Sequence, residues 1–481
     1  LKIFGLEIKR AKKETQARNY HAGVGSGVYG NWIATNTTAD VDIRRDLKTI
    51  RARSRQLMRD DDYAKKFKRL LKTNVIGNVG IRLQSKSKKT DGSLDKKANE
   101  IIETAFKQWS KKGTCDVSGK YSFREIQRVV LGQIATDGEV IIRKVKGFNN
   151  KFGFSLQLLE ADHLDENFND SSRNIEMGIE FDKWGKPIAY HLFKTHPGRL
   201  SNSTFERERI SADEIIHLYL HERVSANRGI PWMHTAMNRL KMLNGYEEAE
   251  LIGARIGATK GGFYTYSDGS GEYTGDNTDD NGNIVNEIEP GQFELLPRGV
   301  DFKPYDPQHP TTAYKDFLKA VLRGISAGLD VSYNSLANDL ESVNYSSLRA
   351  GTIEEREVWK ELQSWLMENM LDDIFADWLE MSLLMNAVKL PFSSFDRLNN
   401  PYWLARGYTW VDPLKDMQSN VLANKEGLKT HTQIANELGM DLEELYEQLE
   451  KEKELRKQYG ITTMGEAEIM NLIGSSSYDE E

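Results

Sequence analysis

Residues Glu214–Leu251 read EIIHLYLHERVSANRGIPWMHTAMNRLKMLNGYEEAEL. The opening EIIHLYLHER alternates like a strand. Pro231 then sits near the start of a helical pattern in which Met237, Leu240, Leu243, Leu251 and Ile256 keep one face, so a single long helix is predicted over His234–Ile256. Beyond it the composition changes abruptly. Residues 261–283 are crowded with Gly, Asp, Asn, Ser and Thr, short strand-like runs follow around Ile284 and Phe293, and helical spacing returns at Thr312–Leu329. A helix, a polar insertion and a second helix are therefore expected. The insertion is acidic: Asp268–Asp301 holds nine acidic residues against one basic residue, Arg298.

Upstream, residues 21–40 are rich in Gly, Asn and Thr and read as an extended or mobile arm. Helical spacing begins at Asp42 and continues to Asn74 through Ile43, Leu47, Ile50, Leu57, Phe67, Leu70 and Leu71, which predicts two basic helices broken near Asp60–Asp62. Two more helices are expected at Leu94–Trp109 and Tyr121–Thr136. Asp137-Gly138 marks a turn into β-branched segments at Glu139–Lys146 and Gly153–Glu160, a hairpin with Asn149 and Asn150 at its tip. Further strands are expected at Ile175–Phe181, Pro187–Lys194 and Glu214–Leu220. The fold class is α+β. Downstream, Asp330–Asn344 is polar, and a long helical region runs from Tyr345 toward Met385 on the ladder Trp359, Leu362, Leu366, Met370, Ile374 and Trp378. From about Leu414 the chain is helical and increasingly acidic, with 13 Asp/Glu against four Lys/Arg from Glu437 onward.

A chain of 481 residues is too long for one simple core and implies two to four packed units. The net charge of −7 conceals an asymmetry, because residues 1–72 carry 18 basic and eight acidic groups and the remainder must carry −17. The single cysteine, Cys115, excludes an internal disulfide framework and fits a reducing compartment. No run of 18 apolar residues occurs, and Leu1–Arg18 lacks an apolar core of signal-peptide length, so a protein made in a cytoplasm and not bound to membrane is expected.

Motifs that would announce catalysis fail on context. Gly25–Gly30, GSGVYG, matches GxGxxG but neither leaves a hydrophobic strand nor opens a helix, so it cannot place a dinucleotide pyrophosphate. No GxxxxGK[ST] is present. Asn277–Gly282, NTDDNG, resembles half of a calcium loop, yet Ile288 stands where a bidentate Glu must close the shell. His217 and His221 lie four apart on a strand, too far to chelate one ion readily, and read as structural. No catalytic residue, cofactor or metal site is assigned, and the chain is not expected to be an enzyme.

Two basic features remain. Arg44, Arg45, Lys48, Arg51, Arg53, Arg55 and Arg59 form a dense helical tract that can meet phosphate, an anionic partner or water. Lys315, Lys319 and Arg323, spaced by four, line one edge of the second helix after the insertion. A binding or assembly protein is favoured, with nucleic acid as a candidate partner.

Four stretches, in order, resemble the portal proteins of tailed bacteriophages, in their lambda-type branch. They are Arg44–Gln84, RRDLKTIRARSRQLMRDDDYAKKFKRLLKTNVIGNVGIRLQ; LLEADHLDE at Leu158–Glu166 with NIEMGIEFDKWGKPIAYHLFKTHPG at Asn174–Gly198; Glu214–Leu251; and Gly328–Gly351, GLDVSYNSLANDLESVNYSSLRAG. The third is the most diagnostic, with His-x-x-x-x-Glu-Arg, Arg-Gly-x-Pro-Trp and Tyr-x-x-Ala-x-Leu in order. The acidic segment and the C-terminal end match poorly.

The resemblance implies a portal-type fold, assembled as a ring typically of twelve subunits at one capsid vertex, through which double-stranded DNA is packaged and ejected. Residues 1–41 would be an arm, 42–233 and 345–413 a mixed wing, 234–259 and 312–329 the two stem helices, 260–311 an α/β clip, 330–344 a channel loop and 414–481 a helical crown. Lys315, Lys319, Arg323, Asn334, Asn338, Asp339 and Ser342 would be the DNA-channel residues. Implied partners are further copies of the chain, the terminase large subunit, a head-tail adaptor, and the major capsid and scaffold proteins. The implied location is the virion, after assembly in the host cytoplasm. A head-tail adaptor or scaffold without a channel, or a packaging enzyme acting on nucleic acid, is the alternative reading. The missing Walker motif speaks against a motor, and an adaptor leaves the helix-insertion-helix pattern unexplained.

Overall fold

A computed structural model of the chain describes residues 2–3, 6–7, 36–199, 205–258, 262–266, 300–304, 314–341, 344–408 and 412–459. Residues 21–35 of the expected arm, the residues around Ile284 and Phe293, the calcium-like NTDDNG and Ser342 lie outside the described residues, whereas Ala39 and Asp40, expected at the end of the arm, belong to a helix. The architecture mixes helix and antiparallel sheet. Two short strands, β1 (Lys2–Ile3) and β2 (Leu6–Glu7), pair near the start. Helices α1 (Ala39–Arg44), α2 (Leu47–Asp60) and α3 (Asp62–Leu71) follow. The break between α2 and α3 falls among the three aspartates because Asp61 leaves the helix and its carboxylate accepts from the Ala64 amide, capping α3.

After β3 (Arg82–Ser85) come α4 (Lys96–Trp109) and α5 (Phe123–Asp137). A capping box between Ser122 and Glu125 opens α5, and Gly138 closes it in the left-handed region at φ 90°. The chain then turns into β4 (Glu139–Lys146), which pairs with β5 (Phe154–Leu159) in the expected hairpin. Asn150 organises the tip: its side chain bonds the Thr114 and Phe154 carbonyls and the Phe152 amide. A four-stranded antiparallel sheet is built from β6 (Ile175–Glu176), β7 (Ile179–Phe181), β8 (Pro187–Phe193) and β9 (Arg207–Ser211), and β10 (Ile215–Tyr219) returns to pair with β4.

Helix α6 (Met237–Ala258) and helix α7 (Tyr314–Gly328) flank the insertion. Between them β11 (Gly262–Tyr266) and β12 (Val300–Pro304) pair antiparallel. The two helices pack on each other: Thr235, just before α6, and Arg239 donate to the carbonyls of Gly328 and Gly324, both at 2.8 Å, while Tyr246 stacks on Tyr314 and meets Phe317 edge-on. Asp330–Asn344 is not loop throughout, because a short helix, α8 (Tyr333–Ala337), forms within it behind a Ser332 cap.

Helix α9 (Tyr345–Leu366) passes through a π-helical turn, Met367–Leu371, into α10 (Asp372–Leu384). The wide turn shifts the ladder by one position, so both Met370 and Leu371, and then Ile374 and Phe375, are buried. That face closes an aromatic core in which Phe106 meets Trp109, Phe123, Phe375, Trp378 and Trp403. A smaller core of Ile141, Leu164, Ile179, Tyr190, Leu192, Ile210 and Ile215 lies beneath the four-stranded sheet. The strand β13 (Pro401–Leu404) pairs with β3, and α11 (Pro413–Lys425), α12 (His431–Glu437) and α13 (Leu442–Tyr459) end the described chain. These last helices dock where Gly407 meets Gly439 backbone to backbone; a Cβ on Gly407 would lie 2.1 Å from the Leu438 carbonyl carbon.

Candidate functional site

The basic edge of α7 meets the turn that follows α8. Lys315 Nζ lies 2.6 Å from Glu341, and Lys319 Nζ lies 3.1 Å from Asp339. Asp339 also accepts from the Tyr333 hydroxyl at 2.7 Å and from the Glu341 amide at 3.0 Å. These contacts, the Tyr333 bond foremost and Lys319 next, pull the Asp339 carboxyl down to about 2. Burial, with the bond to Asp339 adding to it, pushes Tyr333 up to about 12. Asn338, in the left-handed region at φ 54°, receives a bond of 2.7 Å from Lys66 of α3. Arg323 lies over the Tyr333 ring at 5.6 Å, and no carboxylate pairs with it among the described residues. Asn334 sits on α8, half-buried. The structure thus brings Lys315, Lys319, Arg323, Asn338 and Asp339 into one cluster, and two of its three cations already face carboxylates.

A second charged cluster is buried at the approach to α6. Glu139 and Arg228 are both fully buried, with three short contacts between guanidinium and carboxylate. Arg51 donates to the same carboxylate at 2.9 Å, His217 lies 3.0 Å from it, and the Gly229 amide donates at 3.0 Å. Arg228 also donates to the Met177 carbonyl at 3.1 Å. Burial resists ionisation of Glu139, but the Arg228 charge and the His217 and Arg228 bonds hold its carboxyl well below the ordinary range. Burial keeps His217 neutral by lowering its pKa, against the pull of Glu139. Beside this cluster Gly138 and Gly229 touch backbone to backbone, so that a Cβ on Gly138 would lie 2.3 Å from the Ile230 carbonyl carbon. The segment leading into α6 is thereby clamped to the sheet.

The N-terminal basic tract divides. Arg51 serves Glu139, and Arg55 bonds Asp137 and Asp162, whereas Arg44, Arg45, Lys48 and Arg53 remain exposed. Cys115 is buried, and burial pushes its thiol up to about 12, which suits packing and not nucleophilic attack. Among the described residues one group, Glu160, Asp162 and His196, brings three metal-capable donors within 4.8 Å. Arg55 reaches both of its carboxylates and supplies the positive charge there. No described helix is long and apolar enough to cross a membrane.

Sequence reading missed the Glu139 cluster and the pairing of Lys315 and Lys319 with the turn after α8. The available signal for the first was a Glu heading the apolar run EVII and an Arg within RGIPW; for the second, it was two carboxylates two residues apart after a basic helix edge.

The described residues form a protein of mixed helix and antiparallel sheet whose buried charged groups hold elements to one another. Residues 27–363 match the family described as phage portal protein, lambda family. A probable portal protein of Halomonas phage phiHAP-1 is 38% identical over 98% of this chain and 93% of its own. Portal protein B of Escherichia phage lambda and the portal protein of Escherichia phage N15 are each 22% identical over 92% of this chain, covering 90% and 91% of theirs. A solved structure from the neck of a native gene transfer agent particle superposes loosely, with a TM-score of 0.44 and 14% identity over 80% of this chain and 93% of that one. The chain belongs to the lambda family of phage portal proteins. The family is structural, a component of the virion, and its members form the channel for the phage genome.

Proposed function

We propose that twelve copies close into a ring at one capsid vertex, with α6 and α7 as the stem that surrounds double-stranded DNA. Residues 42–233 and 345–413 form the wing, 260–311 the clip, 330–344 the channel loop and 414–481 the crown. The ring assembles in the host cytoplasm with shell and scaffold proteins. Its clip receives the terminase large subunit during packaging and the head-tail adaptor afterward. The observation that supports this reading best is the packed pair of α6 and α7, joined at one end by β11 and β12 and leading at the other into a polar turn.

The basic edge of α7 faces the DNA. Lys315, Lys319, Arg323, Asn334, Asn338, Asp339 and Ser342 form its contact surface, which reads phosphate and not bases, because base-specific binding would stall a moving duplex. Changing Lys319 and Arg323 together to Glu is expected to lower packaging and alter its salt dependence while native mass measurement still finds intact rings. Packaging at the wild-type level would place this edge away from the DNA.

A further inference from the structure

The two lysines of α7 are one helical turn apart, and the carboxylates they meet are two residues apart on the turn after α8. We propose that Lys315 and Lys319 form a phosphodiester-binding pair whose ligand position is filled, without DNA, by Glu341 and Asp339, and that a DNA backbone displaces them and frees the turn. This deepens the channel reading and rests on it. Carboxylate and phosphodiester offer a lysine the same thing, an anionic oxygen at hydrogen-bond distance. The built-in anions therefore act as stand-ins for phosphate.

The two pairs differ in how readily they exchange. Lys315 and Glu341 are 62% and 63% exposed, a pair that water and salt weaken strongly. Lys319 and Asp339 are 24% and 19% exposed, and Tyr333 holds the same carboxylate. Exchange should begin at Lys315 and proceed inward. Arg323, which has no carboxylate on it among the described residues, supplies the first open site for phosphate. Once a backbone occupies the lysines, Glu341 and Asp339 are left beside it as like charges and are repelled. Lys66 retains Asn338, so the turn would swing from that residue. Leu340 between the two acids is 65% exposed and offers no apolar anchor against the motion. Each phosphate bound by a lysine then costs a broken internal pair, which keeps binding weak and rapidly reversible, as translocation requires.

The test uses full-length rings carrying Leu340→Cys labelled with a nitroxide; Cys115, fully buried, escapes the label. Without DNA the nitroxide should be restricted, and in the Asp339→Asn/Glu341→Gln variant it should be mobile. A short DNA duplex should mobilise the wild-type turn, and Lys315→Gln/Lys319→Gln should be mobile with or without duplex. Freed of its acids, the ring should also bind duplex with a steeper salt dependence, by about 0.9 in the log–log slope for each additional phosphate neutralised. Equal mobility in wild type and the Asp339→Asn/Glu341→Gln variant would overturn the internal pairing. A turn released by that variant but unmoved by bound duplex would overturn the exchange with phosphate. Failure to form rings at all would sink the channel reading itself, and the nitroxide comparison would still report on the pairing.

Discussion

Replacing Glu139 by Gln would leave Arg228 and Arg51, both buried, facing backbone carbonyls, with the Glu166 carboxylate 3.9 Å from Arg51 as the nearest remaining ion-pair partner. Removing one partner of a buried pair typically costs about 3–5 kcal/mol, so E139Q should lower the denaturant midpoint markedly, whereas exposed Arg53→Gln should hardly move it. The cluster also sets a pH dependence. His217 has a folded pKa lowered from 6.5, so the unfolded chain takes up its proton first; its share of stability is full above that value and declines as the pH falls below it. Glu139 has a folded pKa well below 4.5, so its share is full above 4.5 and is lost as acid carries the pH toward the folded value. Unfolding midpoints should therefore fall from pH 7 downward, and His217→Gln should flatten the first part of that fall. A midpoint constant between pH 7 and pH 4.5 would contradict the His217 assignment, and one that stays constant below pH 4.5 would contradict that of Glu139. Gly138→Ala meets the Ile230 carbonyl and a left-handed backbone at once, and should release the segment that leads into α6, seen as faster amide exchange there.

Elements whose pattern is local were legible in the sequence. The two basic helices, the β4–β5 hairpin, the long α6 and its partner α7 all followed from periodicity, turn residues and a proline. Ser122→Ala should cost α5 about 1 kcal/mol through its cap, a loss that thermal unfolding would register. What escaped depends on partners distant in sequence. The edge strand β9, reading RERIS, is mostly exposed and alternates too weakly to announce itself, and β13 exists because β3 lies beside it some 300 residues earlier in the chain. The π turn between α9 and α10 is invisible to a ladder of Trp359, Leu362 and Leu366, since a one-residue slip preserves the same apolar composition. The same limit applied at the site. A helical edge of Lys315, Lys319 and Arg323 could be read from spacing, but that Glu341 and Asp339 fold back onto it could not.

At the scale of the molecule, the basic amino-terminal region is partly consumed within the fold. Arg51 and Arg55 bind internal carboxylates, so the outward members of the tract are Arg44, Arg45, Lys48, Arg53 and Arg59, the last beside exposed Asp60. The basic edge of α7 is likewise less cationic than its sequence suggests, because Glu341 and Asp339 on the turn after α8 face Lys315 and Lys319. If copies close into the proposed ring with α7 inward, three cations against two carboxylates leave one positive charge per copy while the turn is in place, and displacing the turn raises it. The most direct test is imaging of the purified full-length protein at a resolution that shows helices. The account predicts closed rings in which α7 lines a central opening wide enough for duplex DNA, whereas monomers under all assembly conditions, or rings with α7 on the outside, would contradict it.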